Sequence, residues 1–221
     1  MKKYSILLFG GSGKMGKELQ LLINSHNFFS LYKSTGSNLD GIDPKKIDLV
    51  IDFSNQKSFC NIIKWSKDNK KFFLSGTTGL TKLDFDLLKT SALTIPVFWS
   101  SNMSTGIYLL GLCLDLISKK SKNFNYNIEE THHIEKKDSP SGTAINLSNI
   151  LNNNNVDSKI LSNRKKQELG IHKVDISSPE EGLTLEHKTY NRSLFAKGAM
   201  QAAEFLVLQQ PGLYKMKNLF S

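Results

Sequence analysis

The stretch Ser5-Ile6-Leu7-Leu8-Phe9-Gly10-Gly11-Ser12-Gly13-Lys14-Met15-Gly16 decides the architecture. Its first half is a short unbroken apolar run, which is how a strand buried on both faces reads. Its second half holds Gly11, Gly13 and Gly16 at GxGxxG spacing and opens a helical pattern in which Met15, Leu19, Leu22 and Ile23 share one face. A strand that turns through glycines into a helix brings backbone close to a pyrophosphate and aims N–H groups at it. Two other readings stay open: a glycine-rich turn with no ligand, and the phosphate loop of a nucleoside triphosphatase. Gly11 to Lys17 also fits GxxxxGK, but Glu18 stands where a Ser or Thr hydroxyl should meet magnesium.

Working outward, Ile47 to Phe53, Lys71 to Leu74 and Ile95 to Trp99 repeat the continuous apolar strand pattern, with Phe59, Ile62 and Ile63 spaced for a helix between the first two. Strand and helix alternating in this way predict an α/β fold, a Rossmann-type parallel sheet built by right-handed crossovers. After Asn102 the pattern changes. Ile107 to Ile117 reads as a buried helix, Phe124, Tyr126 and Ile128 as a half-buried strand, and Ala144 to Leu151 as a helix. Val174 with Ile176 and Leu183 with Leu185 read as antiparallel strands of a second, α+β domain. Ala199 to Leu208 reads as a closing helix before a Pro211-Gly212 stop, and Asn152 to Asn155 as a solvated loop.

The 221 residues carry 29 Lys plus Arg against 20 Asp plus Glu, a net charge of +9. All but Arg164 and Arg192 of the basic residues are lysine, and they are scattered. Readers of nucleic acid lean on clustered arginine, so no nucleic-acid partner is expected, whereas an anionic cofactor or acidic metabolite suits the positive field. No apolar run approaches the roughly 20 residues that span a bilayer, and the start leads straight into a strand pattern, so neither membrane nor secretory signal is expected. Cys60 and Cys113 sit in apolar helical stretches and read as reduced core residues, which fits a cytoplasmic protein.

A second constellation runs Glu129-Glu130-Thr131-His132-His133-Ile134-Glu135-Lys136-Lys137-Asp138-Ser139-Pro140-Ser141-Gly142-Thr143-Ala144. Imidazole binds or protonates a substrate near neutral pH, lysine supplies fixed charge or a proton, and the helix start at Thr143 receives a carboxylate. The paired histidines and glutamate lack a helical HExxH, so no metal is expected. The acid that follows a dinucleotide fingerprint by about twenty positions is missing. In its place stand Lys33, Ser34 and Thr35, with Asp40 the first acid. An ammonium at Lys33 favours the extra phosphate of NADPH; a merely solvated lysine is the plain alternative.

The segment THHIEKKDSPSGTA resembles the EAHHxxKxDAPSGTA signature of the dihydrodipicolinate reductase (4-hydroxy-tetrahydrodipicolinate reductase) family. GGSGKMG resembles that family's cofactor loop, Gly76 to Gly79 its GTTG turn, and Ser100 to Ser104 its AxNxS segment. Asn191 to Ala199 resembles SRxxFAxGA, and Gly212 to Met216 the GLYDM ending. The resemblance covers nearly the whole chain in the family's order. It implies NADH- or NADPH-dependent reduction of 4-hydroxy-tetrahydrodipicolinate on the diaminopimelate route to lysine. Gly10, Gly11, Ser12, Gly13, Lys14 and Met15 would hold the pyrophosphate. Gly76, Thr77, Thr78, Ser100, Ser101, Asn102 and Met103 would line the nicotinamide side. His132 and Lys136 would handle the proton, and His133, Gly142 and Thr143 would bind the dicarboxylate substrate. The implied domains are 1–103 with 196–221 for the dinucleotide and 104–195 for substrate and assembly, in a homotetramer built through the second domain's sheet. Ser139 replaces the signature's Ala, and the regions after the second strand and between Asn155 and Gly170 are short for the family. A dinucleotide-binding sensor or scaffold without catalysis is the alternative of a different class.

Overall fold

The computed structural model describes residues 3–220. They form two compact units, one holding the residues up to Met103 together with those from Ser193 onward, the other Ser104–Arg192. Strands and helices are numbered along the chain.

The first unit is built on a parallel sheet of β1 (Tyr4–Phe9), β2 (Phe29–Thr35), β3 (Leu49–Asp52), β4 (Phe72–Ser75), β5 (Pro96–Trp99) and β10 (Gly212–Tyr214), in the order β10-β5-β4-β3-β1-β2. Its helices are α1 (Lys14–Asn24), α2 (Gln56–Asp68), α3 (Lys82–Ser91) and α6 (Ser193–Leu206). The central strands β1, β3, β4 and β5 are apolar over most of their length because alternate residues serve opposite faces and both faces are covered. Leu7, Phe9, Val50, Phe73 and Val97 join Phe59, Ile62 and Ile63 of α2 and Leu88 of α3 in one core. The alternate set, Ile6, Leu8, Leu49, Ile51, Leu74 and Phe98, is equally buried. On the α6 side, α6 packs against α1, β4 and β5. Its Ala196, Gly198, Ala199, Ala202 and Ala203 are buried and small, which lets the helix lie close to its neighbours.

Four elements escaped the sequence reading. β2 is an edge strand carrying Ser30, Lys33, Ser34 and Thr35, so it lacks an apolar run. α6 ends at Leu206, ahead of the expected Pro211-Gly212 stop, but the chain beyond that stop forms a strand: three residues from Gly212 pair with β5 as β10. α3 starts at a capping box between Thr81 and Asp84. The fourth, β7 (Lys159–Lys165), belongs to the second unit, where burial alternates weakly along it.

In that unit β6 (Asn125–His133), β7, β8 (Ile171–Ser177) and β9 (Gly182–Lys188) form a mixed sheet in the order β7-β6-β8-β9, with β6 and β7 parallel and the other pairs antiparallel. α4 (Thr105–Lys120) and α5 (Gly142–Asn153) cover one face, packing Leu110, Leu114, Leu147 and Leu151 onto Tyr126, Ile128, Val174 and Ile176. The opposite face is polar: the row Glu129, Lys173, Glu186 crosses β6, β8 and β9, with Leu161 of β7 exposed beside it.

The structure departs from three expectations: a buried helix at 107–117, core cysteines and a solvated loop at 152–155. α4 buries only one stripe, Leu110, Leu114 and Ser118, and leaves Leu109, Leu112 and Leu116 exposed. Cys113 lies on its exposed side and Cys60 is only partly buried, so neither is a core residue; both are free thiols. The asparagine run is not a plain loop, because Asn152 and Asn153 end α5 and Asn154 donates to Asp115 Oδ1 and Ser118 Oγ, at 3.0 and 2.8 Å.

Candidate active site

In the first unit the candidate residues collect at one edge. The strands are parallel, so the loops after β1, β2, β4 and β5 all emerge at their carboxyl ends, where open α/β sheets bind ligands. Gly10 takes φ +79°, and a Cβ there would lie 2.2 Å from the Phe53 carbonyl oxygen. Gly16 sits against Gly10 and Gly11, a Cβ falling 2.3 Å from the Gly10 oxygen. α1 opens at Lys14 with Gly13 as its N-cap, no side-chain cap and no acid in the first turn. A tight glycine turn onto a helix start whose positive end meets no side-chain cap or acid fits the diphosphate of a dinucleotide.

Asp52, buried at the end of β3, accepts from Ser54 N (3.0 Å), Ser54 Oγ (2.5 Å), Ser75 Oγ (3.0 Å) and Thr77 Oγ1 (2.8 Å). This network fixes the Gly76-Thr77-Thr78 turn to the strand next door, and Trp99 Nε1 donates to the Thr77 carbonyl at 3.1 Å. Thr77 thus spends its hydroxyl on the scaffold, whereas Thr78 is exposed. Ser100 Oγ donates to the Asn102 carbonyl at 2.6 Å, and the residues 100–102 are half-buried. Met103 is buried with its carbonyl against Gly198. Lys33 is exposed on β2, while the next residue, Ser34, fills the space left by Gly11.

In the second unit β6 carries Tyr126, Ile128, Glu130 and His132 on its core-facing side, so a period-two pattern delivers a carboxylate and an imidazole where two apolar residues came before. Glu130 is fully buried and accepts from His132 Nδ1, from Arg164 Nη1 at 3.0 Å and from Ser141 N at 3.3 Å. Burial by itself would raise its carboxyl, but the hydrogen bonds from His132 and Arg164 more than offset this and hold it below the usual range. Burial pulls His132 below the ordinary imidazole value, with Glu130 opposing. Beside it, edge to face at 5.0 Å, lies His172, whose burial takes it down to about 3. His172 Nε2 meets Ser141 Oγ at 3.2 Å, and the same Oγ caps α5 by accepting from Ala144 N at 3.2 Å.

His133 is half-buried and leaves β6 on the face opposite His132, so the adjacent pair does not act as one unit. Lys136 Nζ donates to both oxygens of Asp138, at 2.7 and 2.8 Å. Burial alone would raise the Asp138 carboxyl, but the Lys136 contact, joined by the backbone N–H groups of Asp138 and Gly142, more than offsets this and leaves it below its usual range. Lys136 and the start of α5 therefore converge on a single carboxylate. Glu130, Arg164, His172 and Ser141 are not among the site residues expected from the sequence. An acid on the apolar side of a strand, two residues before a histidine, is the signal that marks Glu130. Among the described residues no three His, Cys, Asp or Glu side chains gather as a metal site, and no helix is long and apolar enough to cross a membrane.

Residues 4–103 match the family model described as dihydrodipicolinate reductase, N-terminus, and residues 106–220 that described as dihydrodipicolinate reductase, C-terminus. A 4-hydroxy-tetrahydrodipicolinate reductase of Bdellovibrio bacteriovorus is 42% identical over 99% of this chain and 97% of its own length. One of Campylobacter lari is 32% identical over 97% and 98%. A dihydrodipicolinate reductase from Paenisporosarcina sp. TG-14, solved with dipicolinate bound, superimposes with a TM-score of 0.77 at 16% identity, over 97% of this chain and 98% of that one. These end-to-end matches favour an NADH- or NADPH-dependent oxidoreductase of lysine biosynthesis over a sensor or scaffold. The chain belongs to the dihydrodipicolinate reductase family.

Proposed function

We propose that the family's reaction, reduction of 4-hydroxy-tetrahydrodipicolinate to tetrahydrodipicolinate, runs in this chain through His132 and Lys136 as the proton-handling groups. The substrate takes up one hydride and one proton and releases water, so the protein must deliver a proton and hold two carboxylates. A bound NADH or NADPH supplies the hydride. The observation that carries the assignment is the convergence of Lys136 and the Gly142 backbone on the Asp138 carboxylate, one short turn away from an imidazole anchored on Glu130. Donors that already hold one carboxylate suit a dicarboxylate substrate, with His133 and Thr143 completing its binding. Gly10 to Met15 hold the pyrophosphate, and the turns at 76–78 and 100–103 line the nicotinamide.

The experiment is steady-state turnover of the purified protein with freshly made substrate. His132→Gln and Lys136→Ala should each lower kcat by about a hundredfold or more, since general-acid and electrostatic groups each supply on the order of 10² to 10⁴. Dinucleotide binding should survive in both. Near-normal turnover in both variants overturns the assignment.

The assembly belongs to the same reading. A homotetramer in the cytoplasm forms through the polar face of the four-stranded sheet, where the Glu129, Lys173, Glu186 row offers alternating charge that a symmetry-related copy can complement. Light scattering on the eluted protein should return four copies, and a monomer at micromolar concentration contradicts it.

A further inference from the structure

Glu130 is a buried carboxylate, beside the proposed proton-handling histidine, that the reaction scheme leaves unused. It is fully buried and spends both oxygens: Oε2 on His132 Nδ1, and Oε1 on Arg164 Nη1 and Ser141 N. Arg164 is itself fixed, donating through Nη1 to the Asn163 carbonyl and through Nη2 to the Asp138 carbonyl, both at 2.7 Å. A carboxylate with three donors, one of them a guanidinium, is ionised and can only accept, so the proton of its contact with His132 sits on Nδ1. The ring's other nitrogen faces Gly170, where a Cβ would stand only 3.1 Å from Nε2.

We infer that Glu130 is the positioning residue of His132: it fixes the ring through Nδ1 and leaves Nε2 as the nitrogen through which His132 exchanges a proton. The inference rests on the proton-handling role proposed for His132. The groups facing the ring are Glu130 from β6, Arg164 from β7, His172 from β8 and Lys136 from the turn after β6. Of these only Glu130 favours the protonated ring; Lys136 and Arg164 oppose it, and His172 is neutral near pH 7. Glu130 therefore sets both which nitrogen works and at what pH the ring holds a second proton.

Glu130→Gln separates this from a structural role. Arg164 and Ser141 both need an acceptor, so the new amide keeps its oxygen toward them and turns its NH₂ to Nδ1. That nitrogen must then be bare, and the neutral ring switches to the Nε2–H form. Nitrogen NMR of the folded protein labelled in histidine should show the Nδ1–H form in the natural protein and Nε2–H in the variant. We expect kcat to fall by about a hundredfold, the range that a wrong tautomer or a lost acid–base group reaches. The limb of the pH profile set by His132 should move to lower pH, with the KM for the dinucleotide within about twofold. Glu130→Asp should restore the Nδ1–H signal and recover at least about tenfold of the loss. Should Glu130→Gln fail to fold, Arg164→Gln, which loosens Glu130 without removing it, should still lower kcat by about fivefold, while the limb moves to higher pH because a charge that opposes the protonated ring is gone. An unmoved tautomer and pH limb in Glu130→Gln, with kcat within about threefold of natural while His132→Gln is inactive, overturns the positioning role alone. Full activity in His132→Gln removes the role of His132 and this inference with it.

Discussion

At the end of β2, where an acid would hold the two ribose hydroxyls, the chain places an exposed lysine and two hydroxyl side chains. A carboxylate there repels a third phosphate, whereas an ammonium attracts it. Lys33→Asp should therefore lower the preference for NADPH over NADH, measured as the ratio of kcat/KM values, by about tenfold or more. An unchanged ratio places the lysine in solvent with no part in cofactor choice. The glycine loop was legible because the whole pattern lies within seven residues and each glycine answers a local demand. Gly16 has no room for a Cβ against Gly10, and Gly10 has neither the room nor the dihedral for one. Glu130 was marked only by its place on the apolar side of a strand, and its role was hidden for the opposite reason. Its meaning depends on Arg164 and Ser141, which come near only after β7 pairs with β6 and α5 begins. Read alone, a Glu-Glu pair before two histidines has no partner.

At the level of elements, the start of α5 links helix stability to the site. Ser141 caps the helix through Ala144 N, meets His172 Nε2 through the same oxygen, and donates its backbone N–H to Glu130. Loss of an N-cap hydroxyl costs about 1 kcal/mol, and burying a ring nitrogen without a partner adds about as much again or more. Ser141→Ala should thus lower unfolding stability by about 2 kcal/mol and raise the KM for the dicarboxylate several-fold, with the KM for the dinucleotide unmoved. Ser104 is the internal comparison: it caps α4 by accepting from Ile107 N at 3.2 Å and meets His187 Nε2 at 3.2 Å. Ser104→Ala should match the loss of stability without the change in dicarboxylate KM. Equal KM effects in the two variants contradict the link between α5 and substrate. The helix was visible from Pro-Ser-Gly-Thr and the apolar spacing that follows it. The strands that support it were visible only in part, since β7 alternates weakly and exposes Leu161. Period-two reading finds half-buried strands and passes over those whose pattern is diluted by lysine, serine and asparagine.

For the whole molecule, the net charge of +9 says less about function than the few ionisable groups that are buried. His172 accepts a proton in the folded protein only near pH 3, but in the unfolded chain near 6.5. Below about pH 6.5 the unfolded chain binds a proton that the folded protein refuses, so stability falls as pH falls, and the loss continues down to the folded value. His132 and His187 are lowered by burial as well and act in the same direction. Glu130 and Asp138 are held below their usual values, so their stabilisation is lost only as pH drops through the carboxylate range, under about 4. The interval from pH 6.5 to 5 therefore belongs to the histidines. Each fully titrating group contributes a slope of up to about 1.4 kcal/mol per pH unit, so His172 by itself accounts for about 2 kcal/mol across that interval. For a protein of this length that corresponds to a fall in Tm of about 4 to 8 °C. His172→Gln removes the titrating group: its melting temperature should start lower at pH 7 but decline less steeply toward pH 5. Parallel slopes in calorimetric scans of the two proteins would mean that His172 gains its proton without unfolding the sheet, and that the buried row beside Glu130 is more open to water than its packing indicates.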